Sequence, residues 1–259
     1  MNSLLASKAC DITGVVGIAC ARHECYAPNA LVDLFKGKQQ KNADFAFLKA
    51  LKSTNVEPEQ SMLLIYDIAC QYFVHFHDHI SHEIPFGLQV EAAIGLFHVH
   101  VHKDKCFFWY ATSFIPGASV VAGEILESLW SSLNISPMAR TATLAHRAEM
   151  LDDHASDSNH KILIGIISHL CKCHWTAINI IESAQLYYDN LITQSGPKAI
   201  AKWMSEIEEA EAVMASQSYN IEAMDIYAAK LDDHELVAGV LTVQLQVWHW
   251  TGGWHWPCV

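Results

Sequence analysis

Residues 61–67 read Ser-Met-Leu-Leu-Ile-Tyr-Asp, an apolar run that follows a loop and ends in an acidic residue. A run of this length is typical of a buried strand in the middle of a sheet. A carboxylate at the end of such a strand is costly to bury unless a ligand or cation compensates its charge. Ligands of open α/β sheets bind at the carboxyl ends of the strands. The segment therefore predicts an α/β fold with a candidate functional acid, Asp67.

The surrounding sequence predicts further strands and helices on both sides of this strand. Strands are predicted at 15–21 and 30–34, as a hairpin, and at 93–101, and helices at 42–52, 70–81, 123–133, 146–154, 159–184 and 197–215. The strand over 93–101 would place His98, His100 and His102 on one face. The order of these segments predicts a sheet in the first half of the chain and a mostly helical second half.

Composition limits the kind of protein this chain can be. It has 259 residues, of which 51% are hydrophobic and 17% charged, so it can bury a sizeable core. Its net charge of −12 argues against a stand-alone module that grips the phosphate backbone. No apolar run reaches the ~18–20 residues of a membrane span, and we expect neither a membrane protein nor a signal peptide. Without a secretory context, reduced thiols are expected for the eight cysteines.

Two glutamates could join Asp67 in a metal site. Glu124 and Glu127 begin the helix predicted over 123–133, and their spacing of three residues makes them face the same way. Carboxylates that converge from a strand end and a later helix are typical of Mg²⁺ sites for phosphoryl transfer, where two metals ~4 Å apart stabilise the attacking and leaving oxygens. The alternative interpretation is that Asp67 only caps a helix at a strand–helix junction.

Histidine is the most unusual feature of the composition, with 16 residues, several of them close together. The segment His75-Phe76-His77-Asp78-His79 resembles the HxHxDH run of metallo-β-lactamase-like hydrolases but is one residue short. His75 and His79 could also bind zinc from one helix face. A second hypothesis is a structural zinc site, with the following residues: His98, His102, Cys106 and Cys70. The alternative is that all these histidines are ordinary surface and core residues.

Five blocks of sequence resemble one known family. They are the segment from Cys10-Asp11 through CARHECYAPNALVDLFKG (10–37), YDIACQY (66–72), FHVHVHKDKC (97–106), GEILESLWSSLN (123–134) and RAEMLDDHASDSNHK (147–161). In this order they resemble the Kyakuja-Dileera-Zisupton (KDZ) transposases of fungi, and the resemblance runs from about residue 10 to 230. YDIACQY, followed by the His/Cys block and then GE-x-x-E-x-x-W-S, is the specific part.

The resemblance implies an RNase H-like mixed sheet that carries a DDE-type site for DNA strand cleavage and transfer. The second family acid falls on Asp67, and the family glutamate falls on Glu127 or Glu124. Glu127 is favoured because it lies in the E-x-x-W-S context. Asp67 and Glu127 would hold Mg²⁺ or Mn²⁺. The family also implies a structural zinc or DNA-positioning role for the His/Cys block, with the following residues: His98, His102 and Cys106.

The chain departs from the family pattern at both ends. The family's first catalytic Asp is expected on a strand upstream of the hairpin, yet only about ten residues precede it, and neither Asp11 nor Asp33 has the expected context. We therefore expect a truncated and inactive copy. Its expected parts are a core over 10–135, a helical region over 136–246 and an aberrant Trp-rich tail over 247–259.

The resemblance also implies partners and location. DNA, as transposon ends, would be the partner of the ancestral protein, no membrane is involved, and a homo-oligomer and a nuclear location follow from the family. Two alternatives remain open at this point. One is a zinc-dependent metallohydrolase that uses the His75–His79 cluster. The other is a non-catalytic remnant that only binds partners through its helical region.

Overall fold

The computed structural model of the chain describes residues 12–35, 39–59, 61–118, 121–133 and 141–215. The chain divides into two compact units, and the boundary lies between Ser205 and Glu206. The predicted tail over 247–259 lies outside the described residues. None of the described helices combines the length and hydropathy that crossing a bilayer requires.

Four short strands form the first part of the described chain. Strand β1 (Gly14–Val16) pairs antiparallel with β4 (Val32–Leu34), and β2 (Ala19–Cys20) pairs antiparallel with β3 (Cys25–Tyr26). The turns between them contain residues with positive φ, which polar side chains such as asparagine tolerate best. The predicted hairpin is confirmed, with a small inner pair of strands at its tip.

Helix α1 (Gln40–Thr54) follows and confirms the helix predicted over 42–52. It buries Phe47, Leu48 and Leu51 on one side, as their helical spacing requires. The helix ends at Asn55, which takes the left-handed conformation (φ 48°) that asparagine adopts more easily than most residues. A loop then leads into the next strand, which begins at Ser61.

Strand β5 (Ser61–Ile65) pairs in parallel with β6 (Gln89–Ala93), in the register Ser61 opposite Gln89. Their connection contains α2 (Ala69–Tyr72) and α3 (Phe76–Ile80), so the helix predicted over 70–81 is broken at residues 73–75. The predicted strand at 61–67 is confirmed, two residues shorter than expected. Ile94 adds a parallel bridge to Ala111, beyond the end of β6.

The strand predicted over 93–101 is wrong. Strand β6 ends at Ala93, and Leu96–Val99 form a helical turn, α4, that begins after Gly95. Gly95 accepts hydrogen bonds through its carbonyl oxygen from the amides of His98 (3.0 Å) and Val99 (2.9 Å). Apolar and histidine residues alternate here within a helical turn, not along a strand. The turn buries Val99, whereas His98 faces acidic side chains.

The remaining elements are helical. They are α5 (Asp104–Tyr110), α6 (Ile125–Leu133), α7 (Leu144–Ser195) and α8 (Pro197–Ala215). Helix α7 is capped by Thr143, whose side chain accepts a hydrogen bond from the amide of His146, and it runs for 52 residues, about 78 Å. The two helices predicted over 146–154 and 159–184 are therefore one. The residues between them, Ala-Ser-Asp-Ser, lower helix propensity too little to interrupt it.

Aromatic packing fixes α2 and α3 against α1. Phe76 is fully buried, stacks on Phe73 with ring centroids 4.5 Å apart, and lies 6.0 Å from Phe47 of α1. The hydroxyl of Tyr72 donates a hydrogen bond of 2.6 Å to Asp44. Because α2 directly follows β5, this cluster also holds the carboxyl end of β5 in place.

The long helix α7 is tied to the first strands by polar contacts. The guanidinium of Arg147 donates through Nε to both carboxylate oxygens of Asp33, at 3.0 and 3.2 Å, and both side chains are largely buried. Asn159 forms two hydrogen bonds with the backbone of Tyr26. The fold is thus mixed α/β with a largely helical C-terminal region, as predicted. The described strands form three two-stranded sheets rather than one mixed sheet.

Candidate functional site

The carboxyl ends of the two parallel strands meet at one edge. Asp67 lies two residues beyond β5, and His98 lies five residues beyond β6, on α4. Because the strands run in the same direction, both residues reach the same edge. Nε2 of His98 lies 3.7 Å from Oδ1 of Asp67. Residues from separate elements therefore meet at Asp67, the candidate functional acid that the 61–67 segment predicts.

Two glutamates complete what we call the acidic cluster, which consists of Asp67, His98, Glu124 and Glu127. Nε2 of His98 lies 3.3 Å from Oε2 of Glu124 and 3.2 Å from Oε1 of Glu127. Glu124 directly precedes α6 and Glu127 occupies its first turn, so both side chains point the same way, as their spacing predicts. One imidazole nitrogen thus faces three carboxylates from two parts of the chain.

Two glycines allow the segment before α6 to approach this edge closely. A Cβ on Gly95 would clash with the carboxylate of Glu124, and a Cβ on Gly123 would lie 2.8 Å from the side chain of Ile65. Gly123 also has a φ of +76°, which side chains disfavour. The close approach lets the amide of Phe97 donate to Glu124 at 3.1 Å. Glycine at 95 and 123 is therefore what seats Glu124 beside α4.

The members of the acidic cluster differ in exposure, which assigns them different roles. The side chain of Glu124 is 22% exposed and one of its oxygens accepts the hydrogen bond from Phe97. The side chains of Asp67 and Glu127 are 59% and 63% exposed. Glu124 is therefore anchored, while Asp67 and Glu127 offer carboxylate oxygens to solvent and to a ligand.

The donor set of the acidic cluster fits a divalent cation. His98, Glu124 and Glu127 each offer a ligand atom, and these atoms all lie within 4.8 Å of one another. Carboxylate oxygens are the ligands that Mg²⁺ and Mn²⁺ prefer, and an imidazole is accepted more readily by transition-metal ions than by Mg²⁺. Oδ1 of Asp67 lies 3.7 Å from Nε2 of His98, beside the same group. Its residues are thus suited to hold Mn²⁺ or Mg²⁺.

A second group lies on the neighbouring turns, and we call it the thiol–imidazole cluster. It consists of Cys70 on α2, His102 after α4 and Cys106 on α5, all of them half-buried, with their ligand atoms within 4.8 Å of one another. Sγ of Cys70 lies 3.4 Å from Nδ1 of His102. Burial, with a further contribution from the nearby Cys106, raises the pKa of Cys70 to about 11. The cluster thus places two thiols and an imidazole at ligand distances.

The structure divides the set of residues for which a structural zinc or DNA-positioning role was expected. His102 and Cys106 lie together with Cys70, whereas His98 lies with the carboxylates. His98 belongs to the helical turn α4, whereas His102 lies in the loop after that turn. Two residues four apart in such a segment can therefore have different partners. A strand interpretation of 93–101 concealed this division.

The histidines of the other segment are not brought together with further ligands. Nδ1 of His75 lies 3.4 Å from the carboxylate of Asp78, and Nδ1 of His79 lies 3.8 Å from that of Asp44. His77 packs its ring on the edge of Phe76. In the described part of the chain, none of these histidines belongs to a group of three metal-capable side chains.

The acids considered as replacements for the first family Asp lie elsewhere. Asp33 is held by Arg147 through two hydrogen bonds, so its carboxylate already has a cationic partner. Asp11 lies outside the described residues. Sequence reasoning gave no indication of the Asp33–Arg147 pair, because its partners are 114 residues apart.

The family model described as Kyakuja-Dileera-Zisupton (KDZ) transposase matches residues 2–159, more than half of the chain. The chain belongs to this family. The match includes every residue of the acidic cluster and of the thiol–imidazole cluster. Membership of the KDZ family implies a transposase-type function and DNA as a binding partner. No curated protein and no solved structure matches the chain.

Proposed function

We propose that the acidic cluster is the metal-binding part of a DDE-type site for DNA strand cleavage and transfer. The observation that carries this proposal is that carboxylate oxygens of Asp67, Glu124 and Glu127 lie 3.7, 3.3 and 3.2 Å from Nε2 of His98, at the carboxyl ends of the parallel strands. Neighbouring carboxylates repel one another, and a bound cation offsets that repulsion. KDZ membership supplies the reaction class for that cation.

Each residue has a distinct role in this proposal. Asp67 and Glu127, the exposed carboxylates, would hold Mg²⁺ or Mn²⁺. Such ions supply Lewis acidity: they activate a water or a 3′-hydroxyl and stabilise charge on the phosphodiester oxygens. In this proposal Nε2 of His98 donates to Oε1 of Glu127, 3.2 Å away, and so orients that carboxylate instead of binding the ion itself. Glu124 fixes the start of α6 against α4 and so places Glu127.

The arrangement of elements supports an RNase H-like core as part of the same proposal. An acid follows the strand β5, a parallel neighbour lies beside it, and a later helix, α6, delivers glutamate to the same edge. This order agrees with what the family resemblance implies. Each strand of the described sheets is short, with two to five residues, and the RNase H-like topology remains part of the proposal.

We further propose that this chain alone does not complete the reaction. In the described residues, no aspartate from an upstream strand joins the acidic cluster, since Asp33 is engaged by Arg147. Two-metal catalysis requires ligands on both sides of the phosphodiester. Transposon ends as the DNA partner, a nuclear location and self-association into a homo-oligomer belong to this proposal as properties of the family.

A plasmid-cleavage assay tests this expectation. Purified chain is incubated with supercoiled plasmid and Mg²⁺ or Mn²⁺, and nicked and linear products are quantified beside the Asp67→Asn variant. We expect no product above the protein-free background from either protein. Cleavage by the natural chain that Asp67→Asn abolishes would contradict the expected inactivity and show that the site is complete. Cleavage that persists in Asp67→Asn would indicate a contaminating nuclease.

The alternative of a zinc metallohydrolase lacks a comparable observation. The imidazoles of His75 and His79 have ring centroids 6.1 Å apart, and both side chains lie on the surface beside single carboxylates. A hydrolytic zinc site holds three protein ligands around one open position. The remaining alternative, a non-catalytic remnant, is the outcome if the acidic cluster binds no metal.

A further inference from the structure

The thiol–imidazole cluster is not used by the proposed reaction, yet it collects three strong metal ligands from three elements. Cys70 comes from α2, which follows β5, whereas His102 and Cys106 flank the start of α5. All three side chains are half-buried, so the group is neither a surface coincidence nor part of the closed core. We propose that Cys70, His102 and Cys106 bind one Zn²⁺ ion through two thiolate sulfurs and Nδ1 of the imidazole.

The separation of the ligand atoms fits tetrahedral zinc. With Zn–S bonds of about 2.3 Å and Zn–N bonds of about 2.0–2.1 Å, tetrahedral geometry places sulfur and nitrogen about 3.5 Å apart. Sγ of Cys70 and Nδ1 of His102 are separated by 3.4 Å. Sγ of Cys106 lies within 4.8 Å of Sγ of Cys70 and of a ring nitrogen of His102, and tetrahedral geometry gives about 3.8 Å for two sulfurs. Little movement is needed to bind the ion.

The donor types select the metal. Two thiolates and one imidazole suit Zn²⁺, whereas the hard cations Mg²⁺ and Mn²⁺ prefer oxygen ligands. Binding displaces the two thiol protons to solvent, so no oxidant or reductant is required. The two clusters are therefore expected to bind different ions, with oxygen-rich ligands around one and sulfur-rich ligands around the other.

The position of the ligands indicates a structural role for the ion. Cys70 follows Asp67 by three residues, and His102 follows His98 by four. One ion would thus join the turn after β5 to the turn after β6, next to the two residues that meet in the acidic cluster. Zinc binding shares no side chain with the acidic cluster, so it stands or fails independently of the proposed function.

Metal analysis of the full chain tests the site. The chain is purified without chelator, and zinc per chain is measured by mass spectrometry of the metal, beside Cys70→Ser and Cys106→Ser. The matched control is Cys173→Ser, because Sγ of Cys173 lies 3.5 Å from Nε2 of His169 in another Cys–His pair that is exposed. We expect about one zinc per chain in the natural protein and the control, and at least a tenfold loss in both other variants.

Two results would overturn the proposal: natural protein without zinc after supplementation, or equal zinc in Cys106→Ser. If the variants do not fold, alkylation of the natural protein replaces them. Iodoacetamide should modify Cys70 and Cys106 at least tenfold more slowly with zinc than after chelation, whereas Cys171 and Cys173 should react equally in both states. Equal protection of all four, or a Cys70–Cys106 disulfide in freshly purified protein, would contradict the zinc site.

Discussion

Two histidine-rich segments of this protein have similar composition and different surroundings. The first covers residues 75–82 and contains four histidines, and the second covers residues 98–102 and contains three. In the first, the imidazoles lie on the surface near single carboxylates. In the second, His98 faces three carboxylates and His102 faces a thiol.

The difference follows from the topology rather than from the residues themselves. The second segment follows β6 at the carboxyl edge of a parallel strand pair, where the turn after β5 and the start of α6 also arrive. The first segment lies within the connection between the two strands, and its Phe76 packs against Phe47 of α1. Clustered histidines form a candidate site where several secondary-structure elements meet. Where one element supplies all the histidines, they remain ordinary surface residues.

The largest expected effect concerns stability in the first segment. Phe76→Ala should lower the free energy of unfolding by about 3–5 kcal/mol, because it removes a fully buried ring from the aromatic cluster. The neighbouring His77→Ala should change it by at most about 0.5 kcal/mol, since His77 is exposed. Urea unfolding followed by circular dichroism measures both. Equal effects of the two substitutions would show that His77 contributes as much to stability as the buried Phe76 does.

A smaller effect distinguishes the two segments by metal affinity. His98→Ala should weaken Mn²⁺ binding about 10- to 100-fold, because the imidazole contacts every carboxylate of the acidic cluster. His79→Ala is the matched control, since His79 also lies near a carboxylate, 3.8 Å from Asp44, but has no further ligand beside it. Mn²⁺ titration followed by electron paramagnetic resonance gives both affinities. A loss in His79→Ala as large as in His98→Ala would remove the distinction between the segments.

The sequence predicted the elements whose pattern is local. The apolar run before Asp67 gave β5, and the spacing of Phe47, Leu48 and Leu51 gave α1, because burial on one face leaves a clear periodicity. The segment over 93–101 failed because apolar and polar residues alternate in a helical turn too short to show its own period. The continuity of α7 was not predicted, because a short polar interval divides its sequence pattern into two. A long helix tolerates such an interval.

The candidate site was predictable only in part, for a similar reason. The position of Asp67 followed from the strand, and the common direction of Glu124 and Glu127 followed from their spacing. Their meeting with His98 depends on the close approach that Gly95 and Gly123 permit, which involves residues distant in sequence. No local pattern shows that two isolated glycines will face each other across such an edge.

The central claim is that the acidic cluster is a divalent-cation site, and calorimetric Mn²⁺ titration tests it most directly. The natural chain is compared with Asp67→Asn and Glu127→Gln. The matched controls are Asp78→Asn and Glu149→Gln, because each of these exposed carboxylates lies beside one histidine, 3.4 Å from His75 and 3.5 Å from His146. Circular dichroism confirms that each protein is folded. We predict binding in the natural chain and both controls, and at least a tenfold weaker affinity in Asp67→Asn and Glu127→Gln. No binding by the folded natural chain, or equal binding by all five proteins, would contradict the account.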